Sequence, residues 1–308
     1  MTPPPQNANA LYFSGGIGRI RILASILSEF TRVNRATFYK QAPHAAVLGW
    51  GLKPSADRAR RHAAKHNLPY LSVEDGFLRS LGLGVEGFQP HSLIVDTRGI
   101  YYDATRPSDL EKLILTADFS PTLLSRASKA IALLRHYRLS KYNHAPDRPT
   151  LPTTDKKRVL VVDQTFGDPS VSYGAATAAT FIEMLDSALA ENLDAEIVVK
   201  IHPDVIAGKK QGYLLEAARA RHCRVLSDDI NPWALFDRVD RVYVVTSQLG
   251  FEALLAGLPV SCFGLPFYAG WGLTDDRQSC PRRAVSRTLE QLFAAAYLRY
   301  CRYANPYT

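Results

Sequence analysis

Nothing in these 308 residues approaches the ~20 consecutive apolar residues that a membrane-crossing helix needs. The start, MTPPPQNANALYF, lacks the basic segment and apolar run of a secretory leader. The chain is therefore expected to stay on the cytoplasmic side. Cysteine is sparse. Cys223, Cys262, Cys280 and Cys301 are widely separated and form no C-x-x-C pair, which speaks against a zinc site and for four reduced thiols. Several chemical signatures are missing too. There is no G-x-x-x-x-G-K-[ST] loop and no H-E-x-x-H, and Gly15, Gly16 and Gly18 supply only part of a G-x-G-x-x-G. No D-x-D triplet is present to clamp a metal on a sugar diphosphate. These absences argue against kinases, dehydrogenases and zinc hydrolases, and no metal or other cofactor is expected.

What is present is an ordinary globular composition, 46% hydrophobic and 21% charged, in a chain long enough for two domains. Lys and Arg outnumber Asp and Glu by 37 to 29, a formal charge of +8. The basic residues form no dense block and no helix-turn-helix or RNP-like run, so no nucleic-acid partner is expected. Anionic small molecules and lipid headgroups account for the charge equally well.

The second half alternates short apolar runs with helical periodicity. Val159–Asp163, Glu196–Ile201, Cys223–Ser227, Arg241–Thr246 and Pro259–Phe263 read as strands. Between them, Phe181, Leu185 and Leu189 share one helix face, and Tyr213–Ala220, Pro232–Val239 and Leu249–Ala256 read as further helices, the last stopped by Gly257. This alternation specifies a parallel sheet. The first half is similar in kind. Strands are expected at Leu11–Phe13, Ala45–Leu48 and Tyr70–Val73. Helices are expected at Ile17–Phe30, Ser55–His66, Asp109–Leu115 and Ser125–Leu139. Ser92–Asp96 and Gly99–Tyr102 read as a hairpin around Thr97-Arg98. The proline-rich stretch Asn143–Lys157 reads as a linker, dividing the chain into domains 1–150 and 151–308 with a cleft between them.

Five clusters fall at the carboxyl ends of strands, where such sheets bind ligands. Glu74-Asp75-Gly76 places two carboxylates side by side. Like charges this close raise one pKa, which suits a general acid or base, although acids at a helix start would look the same. Asp163 ends a buried strand ahead of Gly167. It can serve as a nucleophile toward an anomeric carbon or merely cap a turn. His202, steered by Pro203 and preceded by Lys200, can hold a phosphate, or can be structural. Ser247 and Gln248 precede a helix, and its unpaired N–H groups suit a phosphate; Glu252, one turn on, can accept from ribose hydroxyls. The glycine-rich loop around Trp271 packs closely after the last strand and reads mainly as structural.

Taken in order, the motifs resemble the KpsC family of capsule polysaccharide β-Kdo transferases across nearly the whole chain. The resemblance is carried by Trp50–Ser55 (WGLKPS), Val73–Gly84 (VEDGFLRSLGLG), Ser92–Glu111, Ser140–Asn143 (SKYN), Val159–Asp168 (VLVVDQTFGD), Val199–Asp204 (VKIHPD), Val245–Gly257, Tyr268–Asp276 (YAGWGLTDD) and Ala294–Tyr300. The Glu-Asp-Gly and His-Pro elements are also similar to motifs of bacterial sialyltransferases, in which the acidic motif supplies the acid/base and the His-Pro motif contacts CMP. The resemblance implies a GT-B-like α/β fold, two Rossmann-like domains facing a central cleft. The first domain would lie on the acceptor side and the second would bind the CMP-sugar donor. It implies retaining transfer of Kdo, an acidic eight-carbon sugar, from CMP-Kdo to a Kdo-terminated acceptor on phosphatidylglycerol or lyso-phosphatidylglycerol. It also implies peripheral contact with the inner membrane of a Gram-negative bacterium, beside other capsule assembly enzymes.

Members of that family usually carry two transferase modules. This chain resembles the first, associated with β-(2→4) linkage. On this reading Asp163 is the nucleophile of a double displacement. Glu74 or Asp75 is the acid/base, and His202 and Ser247 receive the leaving phosphate. Lys200 or Arg79 pairs with the sugar carboxylate. The alternatives are an inverting CMP-sialic acid-type transferase and a non-catalytic sugar-nucleotide-binding component of capsule export.

Overall fold

The computed structural model of the chain describes residues 8–36, 45–148 and 151–307. Strands β1 (Asn9–Tyr12), β2 (Arg32–Arg35), β3 (Ala45–Trp50), β4 (Tyr70–Asp75) and β5 (Ser92–Asp96) belong to the first half. Strands β6 (Arg158–Val162), β7 (Glu196–Lys200), β8 (Arg224–Leu226), β9 (Arg241–Val244), β10 (Val260–Cys262) and β11 (Asp275–Asp276) belong to the second, and β12 (Cys301–Tyr303) follows. The second sheet runs β11-β10-β9-β6-β7-β8 and is parallel throughout. Its strands β6, β7 and β9 are short runs rich in Val, buried on both faces by helices such as Ala178–Glu191, as the sequence pattern requires. The first sheet runs β12-β5-β4-β3-β1-β2, with β5 and β12 antiparallel to their neighbours. The molecule is α/β and GT-B-like, with two parallel-dominated sheets facing a common cleft.

The first half departs from the sequence reading in three places. The expected single helix Ile17–Phe30 is instead a 3₁₀ turn, Ile17–Arg19, and a short helix, Leu23–Ile26, with the chain extended at Ile20. Glycines at 15, 16 and 18 weaken helix propensity, and burial of Ile17, Ile22, Leu23 and Leu27 decides the path. Strand β2 beyond it carries no apolar alternation and was not anticipated. The hairpin after Ser92–Asp96 does not form. The Asp96 carboxylate accepts from the Arg98 and Gly99 N–H groups at 2.8 Å, from Asp109 N–H at 3.0 Å and from the Tyr300 hydroxyl at 2.7 Å. Those bonds turn the chain, and β5 pairs with β4 and β12 instead.

Residues 143–148 and 151–157 form neither helix nor strand, while residues 149 and 150 of the expected linker lie outside the described residues. The sequence division assigns the chain end to the second domain, but Cys301–Tyr303 are hydrogen-bonded into the first sheet. The two halves also share one apolar core. Phe77, from the Glu-Asp-Gly-Phe motif, is fully buried, stacks on Tyr297 and packs at a tilt against Phe267, with ring centroids 5.1 and 4.8 Å away. Trp271 is likewise buried, its indole N–H donating to Phe267 O at 2.8 Å, so its role is packing. The four cysteines are free thiols. Among the described residues no helix is long and apolar enough to cross a membrane.

Candidate active site

A cleft of about 860 Å³ lies between the two sheets and is lined from both. The first half contributes Lys53, Glu74, Asp75, Tyr102, Lys141 and Tyr142; the second contributes Asp163, Gln164, Gly167, Asp168, His202, Lys210, Ser247 and Gln248. Strand register explains the convergence. Val162 pairs with Lys200, so Asp163 and His202 emerge from adjacent strand ends. Val73 pairs with Trp50, so Gly51 lies beside Glu74.

Glu74 and Asp75, indistinguishable in the sequence, are in different environments. Asp75 forms a 2.7 Å ion pair with Arg79 Nε. Among the described residues Glu74 forms no such ion pair, and its Oε1 accepts from the Asp75 N–H at 3.2 Å. Burial, helped by the Asp75 charge, pushes the Glu74 carboxyl up to about 7, against the pull of Lys141 and Lys53. Gly51, at φ +45°, leaves room for this group, since a Cβ there would meet Glu74 Oε2 at 2.7 Å.

Asp163 is 8% exposed and held by the backbone. Its Oδ1 accepts from the Gln164 N–H at 2.9 Å and the Tyr213 N–H at 3.1 Å. Burial pushes its pKa up while these donors oppose the rise. A Cβ at Gly212 would meet Asp163 Oδ2 at 2.3 Å, so the carboxylate and the 212–213 backbone fit against each other. Gly212→Ala is therefore expected to displace Asp163. A loss of at least about tenfold in turnover, with a fall of a few degrees in Tm, would show it by steady-state kinetics and thermal melting.

His202 is half exposed at the cleft. Its Nδ1 accepts from the Asp204 N–H at 3.1 Å, which leaves Nε2 as the donor of the neutral ring. Burial, followed by the nearby Lys210 charge, pushes its pKa down. Lys210 is in turn paired with Asp204 at 2.9 Å. Ser247 and Gln248 precede the helix Leu249–Ala256, with Ser247 Oγ accepting from the Leu249 N–H at 3.3 Å. Gln248 Nε2 reaches across to Phe77 O at 3.0 Å. Pro203 opens the one-turn helix Pro203–Ile206; its side chain lies outside the described residues.

Three expected ligand-binding side chains point elsewhere. Arg79 is absent from the cleft lining, because its guanidinium is taken by Asp75, Ser80 Oγ at 2.7 Å and Phe88 O at 3.2 Å. Lys200 is also outside it, donating to Asp228 O at 2.7 Å. Glu252 is buried behind the wall, where its Oε1 accepts from Ser140 Oγ at 2.9 Å and Lys141 N–H at 3.0 Å. Burial pushes that carboxyl up to about 7. Arg79 is taken by its own near neighbours, whereas Lys200 and Glu252 meet partners that local spacing does not announce.

Other residues were missed. Gln164 ties the cleft wall together: its Oε1 accepts from Thr246 N–H at 3.0 Å and its Nε2 donates to Ser170 Oγ at 3.2 Å and Asp168 Oδ2 at 3.3 Å. Lys141, within the Ser-Lys-Tyr-Asn motif, lines the cleft from the first half. Burial works against its charge, but Tyr142, Asp75, Glu74 and Asp168 outweigh it and raise its pKa. The only sequence signal for it was that motif, on a segment with no strand end. Among the described residues no group of three or more His, Cys, Asp and Glu side chains is placed to hold a metal ion.

The chain matches the family model for capsule polysaccharide biosynthesis proteins over residues 45–153 and 127–303. Over 97% of its length it is 51% identical to the capsule polysaccharide modification protein LipA of Neisseria meningitidis serogroup B, matching 44% of that protein. Over 90% of its length it is 43% identical to the lipopolysaccharide-processing protein LpsZ of Rhizobium meliloti, matching 63% of it. The chain thus spans about half the length of LipA. Among solved structures, the β-Kdo 2,4 transferase of Thermosulfurimonas dismutans KpsC superposes with a TM-score of 0.91 at 47% identity, over 98% of this chain and 94% of that one. The β-Kdo 2,7 transferase of the same protein gives 0.71 at 33% identity, over 97% and 93%.

Proposed function

The chain belongs to the family of capsule polysaccharide biosynthesis proteins, and from that premise we propose that it is a retaining β-Kdo transferase that uses CMP-Kdo. The observation that carries this reading is the cleft itself, in which Glu74 from one sheet and Asp163 from the other line a single space. The greater similarity to the 2,4 than to the 2,7 transferase supports β-(2→4) linkage.

Retention follows from two inversions. A carboxylate oxygen of Asp163 attacks C2 of Kdo, and the C2–O bond to CMP breaks with its electron pair leaving on the phosphate. The backbone N–H groups of Gln164 and Tyr213 orient the attacking carboxylate. His202 Nε2–H, Lys210 and the positive end of the helix that starts after Ser247 stabilise the charge that collects on departing CMP. An acceptor hydroxyl then attacks C2 from the opposite face, Glu74 takes its proton, and Asp163 leaves. Glu74 suits this better than Asp75, because its carboxyl titrates near 7 while Asp75 is committed to Arg79. The reading assigns no step to a metal. The acceptor is a Kdo-terminated glycolipid on phosphatidylglycerol or its lyso form, reached at the inner-membrane surface from the cytoplasmic side, among other capsule assembly enzymes.

The test is to incubate the chain with CMP-Kdo and a short Kdo-terminated acceptor, follow CMP release and assign the product by NMR. A β-configured 2→4 product is expected. An inverted anomer would make the protein an inverting transferase of the CMP-sialic acid type. CMP binding without turnover would make it a sugar-nucleotide-binding component of export.

A further inference from the structure

Glu252 and Gln248 sit one helical turn apart at the start of the helix Leu249–Ala256, and both reach into the other half of the molecule. Gln248 donates to Phe77 O, two residues beyond Asp75. Glu252 accepts from Ser140 Oγ and Lys141 N–H through one oxygen. The segment carrying Lys141 is itself knitted to the acid/base loop: Arg79 N–H and Ser80 N–H both donate to Lys141 O, at 3.0 and 3.3 Å, and Asn143 Nδ2 donates to Ser80 O at 3.2 Å. Glu252 is therefore the contact by which the phosphate-side helix holds the Ser140–Lys141 backbone.

Glu252 is only 5% exposed and is absent from the cleft lining, so it does not touch a ligand there. A buried acid is costly unless it is used, and here a carboxylate accepting two donors fixes one backbone position. That position aims Lys141 into the cleft beside Glu74, where among the described residues the ammonium forms no ion pair. The second-half wall already offers His202, Lys210 and a helix N-terminus to a phosphate. Lys141 stands on the opposite wall, next to the acid/base, where the sugar of the donor would lie.

We propose that Glu252 is a positioning residue that holds Lys141 as the counter-charge for the carboxylate of the donor sugar. This rests on the donor being a CMP-linked acidic sugar. It makes Lys141, not Lys200 or Arg79, the group that distinguishes the acidic sugar from the bare nucleotide.

The experiment measures calorimetric affinity for CMP and for CMP-Kdo side by side, with kcat and KM. Lys141→Met and Glu252→Met are each expected to weaken CMP-Kdo about tenfold while CMP changes less than twofold. Glu252→Gln, which keeps an acceptor oxygen, should stay within about threefold of wild type. The double variant Lys141→Met/Glu252→Met should be no weaker than Lys141→Met alone, because the two act through one contact. Should Glu252→Met fail to fold, Ser140→Ala removes one donor without uncovering the carboxylate and should show the same selective loss at about threefold. Equal weakening of CMP and CMP-Kdo, or additive losses in the double variant, would overturn the proposal and leave the donor assignment standing. Wild-type protein that binds CMP-Kdo no better than CMP would remove the donor reading together with it.

Discussion

On the proposed mechanism, Asp163→Asn is expected to lower Kdo transfer by about a thousandfold or more, the scale of removing a nucleophile whose partners remain in place. The amide keeps the shape of the carboxylate but cannot form the glycosyl ester. The measurement has two arms. Transfer is followed by CMP release, and wild type quenched during turnover is digested and searched by mass spectrometry for Kdo on the peptide carrying Asp163. The adduct should appear in wild type and be absent from the variant. The variant should still fold: one carboxylate oxygen becomes an NH₂ facing backbone donors, costing about 1–3 kcal/mol for the mispaired contact, offset in part by removal of a buried charge. Retention of more than a tenth of the wild-type rate, with no adduct, would reduce Asp163 to the clamp on the 212–214 backbone that its hydrogen bonds already make it.

Glu74→Gln carries the second large effect and moves activity and stability in opposite directions. On the proposed mechanism, loss of this base should cost about 10²–10⁴ in rate. The wild-type rate should rise with pH through about 7, the region in which the Glu74 carboxyl ionises, and the variant should lack that limb. Glu252 also sits at about 7, so Glu252→Gln is the control: it should keep the limb.

Stability follows from the same shift. In the unfolded chain Glu74 ionises near 4.5, in the folded protein near 7. Between those values the folded state binds more protons, so the stability that Glu74 contributes is fully present below 4.5 and is lost as pH rises through 7. Gln never ionises and escapes that loss. Glu74→Gln should therefore be more stable than wild type by about 1–3 kcal/mol at pH 8, with the gap closing toward pH 4. Chemical denaturation at the two pH values reads it. A variant no more stable at pH 8 would mean that Glu74 is solvated as an ordinary carboxylate and unsuited to the role.

Much of the cleft lining was legible because strand ends are. Asp163, His202 and Ser247 each follow a short apolar run, and in a parallel sheet the residues after such runs gather on one side. Glu74 was found in the same way, but its difference from Asp75 was not, because that depends on Arg79 closing a 2.7 Å ion pair with only one of the two. Arg79 and Lys200 were placed in the ligand site because they lie at or near strand ends, and Glu252 because it lies one turn into the helix that follows Ser247. They are long side chains, and a charge a few bonds away from its backbone goes wherever an opposite partner or carbonyl is found. Lys200 found Asp228 O, and Glu252 found Ser140, which is 112 residues distant.

The sequence by itself determined the alternation of strands and helices in the second half, the proline-rich break and the carboxylates at strand ends. These are properties of neighbours in the chain, written with periods of about two and 3.6 residues. Tertiary structure alone decided that β12 returns to the first sheet, that Asp96 turns the chain where a hairpin was expected, and that Lys141 rather than Lys200 faces the cleft. The reason is range. Which charges remain free for a ligand is settled by hydrogen bonds and ion pairs that form within about 3 Å in space, between residues the chain may keep a hundred positions apart.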